Sequence, residues 1–213
     1  MAETIIDCTR CPTKNCDKGL IEPEKLPSFC PMRLHPDLAK KTVKLCRENA
    51  ETLRLFQAAA SVEKEGYMRW PRFREIVELA KRLGASKLGV AFCIGLSTEA
   101  KRVVNLLREW GFKVYAVCCK CGGIDKSEFG LGSEAKFDEF DAACNPILQA
   151  EILNLAGCQL NILVGLCVGH DALFTKHSKA PVTTLIAKDR VTGHNPLIAL
   201  YTFYHERMVK PSR

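Results

Sequence analysis

Four cysteines in the first thirty residues, Cys8, Cys11, Cys16 and Cys30, form the pattern C-x2-C-x4-C-x13-C. A C-x2-C pair followed by two more cysteines is a metal-ligand pattern. The segment around them, residues 1–35, carries four prolines and few apolar runs, so it cannot build a core and something must staple it. A bound metal would supply the missing fold energy, on the order of 10 kcal/mol for zinc in small modules.

Cys11-Pro12 and Cys30-Pro31 place a proline directly after a cysteine, as ferredoxin-like cluster ligation does, although the spacing departs from the usual ferredoxin run. Zinc and an iron–sulfur cluster both suit this amino-terminal site. Eight further cysteines follow residue 35. Cys93, Cys118, Cys119, Cys144 and Cys167 are the candidate cofactor ligands among them, with Cys121 close by. Crowded thiolates repel one another unless a cation or a cluster neutralises them. An all-thiolate set favours a soft centre, an iron–sulfur cluster of the 4Fe–4S kind or zinc, over magnesium or calcium. His170 and Asp171 follow Cys167, and Lys188 stands further on. These three are the candidate catalytic residues, able to orient a substrate or move a proton at the same rim. A helix cap would account equally for His170 with Asp171, and an exposed turn for Lys188 with Asp189. His177 and His194 are weaker candidates, and Cys46 and Cys158 read as small buried hydrophobes.

The elements that must position these residues follow from the apolar pattern. From His35 to about Lys64 the pattern is helical, and a second helix starts after Pro71 and ends near Gly84. Beyond Lys87 short apolar runs alternate with helical segments, the order that builds a parallel sheet with right-handed crossovers. Strands are expected at 88–93, 112–117, 160–166 and 182–187. Helices are expected from Ser97 or Thr98 to about Trp110, from Pro146 behind an Asn145 cap to about Ala156, over 171–177, and from Asn195-Pro196 toward Met208. Residues 122–141 form a polar, glycine-containing loop, long enough to be a lid or binding loop. The expected fold is therefore α/β: a parallel sheet of about four or more strands with flanking helices, over residues 36–213. The cysteine-rich metal-binding segment, 1–35, precedes it.

In open α/β sheets ligands sit beyond the carboxyl ends of the strands. Cys93, Cys118 with Cys119, and Cys167 end strands one, two and three, and Cys144 precedes a helix in the same loop layer. Gly95, Gly122, Gly123 and Gly169 surround them. Glycine there lets backbone approach a cofactor, and tight turns would use it as well.

The chain has 213 residues, 47% of them hydrophobic, and a net charge of +7 without a block of like charges, so nucleic-acid binding has no support. No run of eighteen apolar residues and no secretory signal in Met1-Ala2-Glu3-Thr4 are found, so a cytoplasmic protein without membrane contact is expected. Twelve cysteines in a reducing compartment point to metal or thiol chemistry rather than disulfides. No G-x-G-x-x-G or Walker run follows a strand.

The sequence resembles a family of small prokaryotic proteins, mostly from anaerobes, described as metal-binding with a domain of unknown function. The resemblance spans essentially the whole chain. It rests on the cysteine-rich start, Phe92-Cys93-Ile94-Gly95-Leu96, Val117-Cys118-Cys119-Lys120 and Cys144-Asn145-Pro146-Ile147. Gly165-Leu166-Cys167-Val168-Gly169-His170-Asp171 and Lys188-Asp189-Arg190 carry it further. It implies metal binding but no reaction, and Cys121 falls outside its motifs. The layout is also similar to sulfur-removing enzymes that hold a cluster by three cysteines, a likeness of architecture alone.

The leading expectation is an iron–sulfur enzyme of redox or sulfur chemistry acting on a small, sulfur-containing substrate. An electron carrier with two clusters and a redox partner protein is one alternative. A zinc protein whose metals are structural and whose task is interaction is the other.

Overall fold

The computed structural model describes residues 5–211. The first four residues, read above as lacking a secretory signal, lie outside them. The chain divides into two units, one reaching Ser61 and the other starting at Val62.

In the first unit, three short turns of 3-10 helix at Cys8–Arg10, Asn15–Lys18 and Pro23–Lys25 precede α1 (Pro31–Leu34), α2 (Leu38–Glu48) and the start of α3 (Ala50–Gly66). Pro31 stands at the first position of α1, where its missing N–H costs nothing. Local ties hold the cysteine-rich run: the Arg10 guanidinium lies 4.8 Å above the Phe29 ring, and Arg33 Nη1 donates to the Leu26 carbonyl at 2.8 Å. The single helical pattern expected from His35 to Lys64 is broken at Asn49. Its backbone is extended, and its Oδ1 accepts from the Thr52 amide at 2.8 Å, so it caps α3.

The second unit carries the sheet. Its elements are α4 (Arg72–Arg82), β1 (Lys87–Phe92), α5 (Ser97–Glu109), β2 (Lys113–Cys118), α6 (Pro146–Leu155), β3 (Leu160–Val164), α7 (His170–His177) and β4 (Val182–Ile186). Two short helices, α8 (Ile198–Tyr201) and α9 (Phe203–Val209), follow, separated at Thr202 where one helix was expected. The four strands are all parallel, in the order β2-β1-β3-β4. The α/β architecture is thus as the alternation implied.

Two apolar layers sandwich the sheet. On one face Ile76, Val77 and Ala80 of α4 and Val103, Val104 and Leu107 of α5 pack with Leu88, Val90 and Ile162. On the other, Ala150 and Leu153 of α6 and Phe174 of α7 pack with Ala91, Val117, Leu163, Cys93 and Cys119. The β2-β1-β3-β4 order means that the chain leaves β1 toward one edge and returns past it to β3. The crevice between the carboxyl ends of β1 and β3 is therefore the topological switch point, where ligands bind in open α/β sheets. Among the described residues no helix is long and apolar enough to cross a membrane.

Candidate functional site

Strand register decides which cysteines meet. Phe92 pairs with Cys118 on one side and with Val164 on the other, so the next residues, Cys93, Cys119 and Gly165, leave the sheet side by side. The ladder continues past the strands, with the Cys119 amide donating to Phe92 O at 2.8 Å and the Cys93 amide to Val164 O at 3.2 Å. Alternation along β2 sends Tyr115, Val117 and Cys119 to the α6 face, where Cys93 already lies. Cys118 packs against the same cluster, but Cys119 is the member of the pair whose thiol bonds Cys93 and takes the Ile94 amide. Cys118 sits with Cys121, whose amide donates to the Cys118 carbonyl at 3.1 Å.

Cys144 arrives from the far end of the long loop. The Asn145 amide donates to the Cys119 carbonyl at 2.8 Å, and the Cys144 and Cys119 sulfurs share a hydrogen bond at 3.6 Å. Asn145 Oδ1 accepts from the Leu148 amide at 2.9 Å and caps α6, with Pro146 at its first position, as expected from the Asn-Pro pair. Cys167 follows β3, and its carbonyl accepts from the His170 and Asp171 amides at 2.9 and 3.1 Å.

Donors are aimed at these sulfurs. The Ile94 amide points at Cys119 Sγ at 3.4 Å, Lys188 Nζ at Cys93 Sγ at 3.1 Å, and Arg190 Nη2 at Cys167 Sγ at 3.4 Å. Arg190 also lies within electrostatic reach of Cys93 and Cys144, which together with its bond to Cys167 holds its proton more tightly. Burial pushes the Cys93 thiol up, but Lys188, the Gly95 amide and Cys119 together outweigh it and bring it below the ordinary thiol value. Cys144 is drawn down to about 6, first by its bond with Cys119 and then, against the burial, by the charges of Lys120, His170 and Lys126. Cys119, beside Cys144 and almost fully enclosed, is pushed up and keeps its proton. Burial raises Cys121 as well.

His170 begins α7 within reach of Cys144. Asp171 turns back on its own helix, where Oδ1 accepts from the Gly169 and Ala172 amides at 3.0 and 2.8 Å. Asp189 holds the turn after β4, accepting from the Val191 and Thr192 amides at 2.9 and 3.1 Å, and its own amide donates to His194 Nδ1 at 3.1 Å. The carbonyl of His177 accepts from Asn154 Nδ2 at 2.9 Å. Cys158 is buried at the opposite edge of the sheet as expected, whereas Cys46 lies in α2, which has no buried residue, and is only partly covered.

Three contributors were not singled out by the sequence. Arg190 lies two residues beyond Lys188, and both reach sulfurs, so alternation along the segment after β4 was the signal for it. Gln149 is a fully buried amide on the apolar stripe of α6, a polar residue where helical spacing asks for an apolar one. Its Nε2 donates to Val117 O at 2.7 Å and to Phe92 O at 3.2 Å, joining the ends of β2 and β1. Gly165, at φ +69°, leaves room for the side chain of Leu96, whose Cδ1 a Cβ there would overlap.

The loop beyond Cys121 closes on itself. Asp125 Oδ1 meets Lys136 Nζ at 2.8 Å, Asp141 Oδ2 meets Lys126 Nζ at 2.7 Å, and Asp125 and Ala142 form an antiparallel bridge. Lys120 Nζ, which bonds the Ala142 carbonyl, also lies 3.6 Å from Asp141.

In the first unit Cys8, Cys11, Cys16 and Cys30 have free thiols, and the Cys11 amide donates to the Cys8 carbonyl at 3.2 Å. The Lys14 and Thr13 amides, with Thr13 Oγ1, draw the Cys11 thiol below its ordinary value. Among the described residues no group of three or more His, Cys, Asp and Glu side chains converges to hold one ion.

The family model described as "Protein of unknown function (DUF1847)" matches residues 30–185, and the chain belongs to that family. An uncharacterised protein of Methanocaldococcus jannaschii is 48% identical over 169 residues, covering 79% of this chain and 86% of that protein. No solved structure matches the chain. The matched span takes in Cys30 and every cysteine of the sheet edge, and the family description names neither a metal nor a reaction.

Proposed function

We propose that, in this member of the DUF1847 family, the carboxyl edge of the sheet holds an iron–sulfur cluster through Cys93, Cys119, Cys144 and Cys167 and carries out redox or sulfur-handling chemistry. One observation carries the reading: thiols from four separate segments lie at the carboxyl edge of the sheet, and three receive a donor, an amide for Cys119 and cations for Cys93 and Cys167. Thiols serving only as small hydrophobes need no such donors. Amides and cations at sulfur stabilise thiolates and tune a metal centre. A cluster takes its thiolates on separate irons around a shared volume, so it does not ask three side chains to meet at one point.

The bound cluster would supply one-electron transfer, or an iron position open to a sulfur or oxygen ligand. The chain's own residues would do the rest. Lys188 balances the charge of Cys93 from within the site, and Arg190, more exposed, does so for Cys167 at its mouth, where it can also meet an anionic group on a substrate. His170, within electrostatic reach of Cys144, would hold or pass a proton at that rim. The Cys119 and Cys144 sulfurs, 3.6 Å apart, would separate to take different irons.

Cys8, Cys11, Cys16 and Cys30 are proposed as a second metal site, for zinc or a cluster. Support comes from the two amides turned toward Cys11. A sulfur-containing small molecule is the proposed substrate, with a redox protein as the electron partner. Protein purified without oxygen should be coloured and carry iron and acid-labile sulfide in similar amounts. A colourless protein holding zinc and no sulfide would contradict the cluster.

A further inference from the structure

We infer that Cys119 and Cys144 also form a dithiol redox pair, which in the metal-free protein reduces disulfides and closes to an internal disulfide. This goes beyond the metal reading. It uses two of the same sulfurs, so metal occupancy and disulfide formation exclude one another.

Geometry carries the inference. The two sulfurs are 3.6 Å apart, so reaching the S–S length of about 2.05 Å asks for a closing movement of roughly 1.5 Å. Their backbones already run side by side, because the Asn145 amide is bonded to the Cys119 carbonyl at 2.8 Å. The chain joining them is tied across itself by Asp125 with Lys136 and Asp141 with Lys126, contacts that involve neither sulfur. Closure therefore leaves the loop's own frame intact.

Accessibility assigns the roles. Cys144 is half-buried and can be reached from outside, whereas Cys119 is 2% exposed and can be reached only by its neighbours. Cys144 ionises, and its thiolate attacks one sulfur of an incoming disulfide, forming a mixed disulfide and expelling the first thiolate, which takes up the proton that Cys144 released. Cys119 then attacks the Cys144 sulfur, its proton passing to an expelled thiolate. The Cys119–Cys144 bond forms and the bond to the second half of the reagent breaks. The two protein thiols lose two electrons and two protons, and the disulfide leaves as two thiols. The ligand class is a small disulfide or the disulfide of another protein.

The test uses the full chain after chelation and removal of reductant, with an equimolar amount of dithiodipyridine. Remaining thiols are then alkylated and the peptides mapped by mass spectrometry. In the wild type, Cys144 joined to Cys119 should exceed Cys144 still carrying the pyridylthio label by about tenfold. In Cys119→Ser, and in Cys119→Ala as a second replacement, the label should stay on Cys144. Wild-type Cys144 that keeps the label while Cys119 is recovered alkylated, or that joins another cysteine in preference, would overturn the inference. The wild-type arm decides even where a variant fails to fold. Iron and sulfide measured on untreated protein report on the metal reading separately.

Discussion

The ammonium of Lys188, just past β4, lies 3.1 Å from the sulfur of Cys93 at the end of β1, although 95 positions separate them in the chain. Gly95 eases the approach, and Gly165 lies in ordinary contact along its path. A Cβ on Gly95 would stand 3.2 Å from Lys188 Nζ, and one on Gly165 would stand 3.6 Å from its Cδ. Lys188 therefore runs over Gly165 and ends over Gly95, where its charge offsets the burial of Cys93.

Removing that charge should leave burial unopposed. In Lys188→Met the Cys93 thiol should rise above its wild-type value, and its alkylation at neutral pH should slow by roughly tenfold for each pK unit gained. Mapping Cys93 modification against pH in the metal-free protein checks this. An unchanged profile would mean that the Lys188 contact does not govern the thiol.

Gly165→Ala should be costly for stability. It puts a side chain at φ +69° and into Leu96 Cδ1, two penalties of about 1–2 kcal/mol each. Denaturant unfolding should show a loss of roughly 2–4 kcal/mol. Gly169→Ala also requires a left-handed residue, but nothing lies near its added Cβ, so it should lose less.

Gln149→Leu should keep the shape of the core but take from the Val117 carbonyl its side-chain donor, while the Phe92 carbonyl keeps only the Cys119 amide. The expected loss is about 1–3 kcal/mol in chemical denaturation. The variant should also weaken the preference for Cys119–Cys144 pairing, because β1 and β2 lose their tie just below Cys93 and Cys119. Wild-type stability and pairing in Gln149→Leu would contradict this role.

The long loop should open in acid. Asp125 is held below the ordinary carboxylate range first by Lys136 and then by Ser127, and Asp141 first by Lys126 and then by the Phe137 amide. With folded values below unfolded ones, the stabilisation is fully present above the unfolded value of about 4 and is lost as pH falls through the folded values. The Ser127, Phe137 and Asp141 amides, which donate to these carboxylates, should lose exchange protection as the pH is lowered below about 4. Protection that persists until the whole sheet unfolds would contradict it.

Most of the sheet was legible because its local signals agree: Asn145-Pro146 starts α6, apolar runs mark the strands, and glycines follow the helices. Strand bounds differ by one or two residues, within fraying. The breaks at Asn49 and Thr202 were hidden because each lies inside a continuous helical pattern. Asn49 caps α3, and the Thr202 hydroxyl bonds His205 Nδ1. Cys118 and Cys119 both pack on the α6 face, and only Cys119 takes the Ile94 amide, a tertiary difference that one sequence does not hold. The ion-paired loop was visible only as polar and long, since its order comes from pairings such as Asp125 with Lys136 that follow no period.

The most direct test of the metal–thiolate centre compares three proteins purified without oxygen: the wild type, Cys93→Ala with Cys167→Ala, and Cys8→Ala with Cys11→Ala. Iron, zinc and acid-labile sulfide are measured for each, with visible absorption spectra. The sheet-edge double variant should lose cluster iron, sulfide and visible absorption that the amino-terminal double variant retains. Wild-type iron and sulfide in the Cys93/Cys167 variant, or zinc without sulfide in all three proteins, would contradict a cluster at the sheet edge.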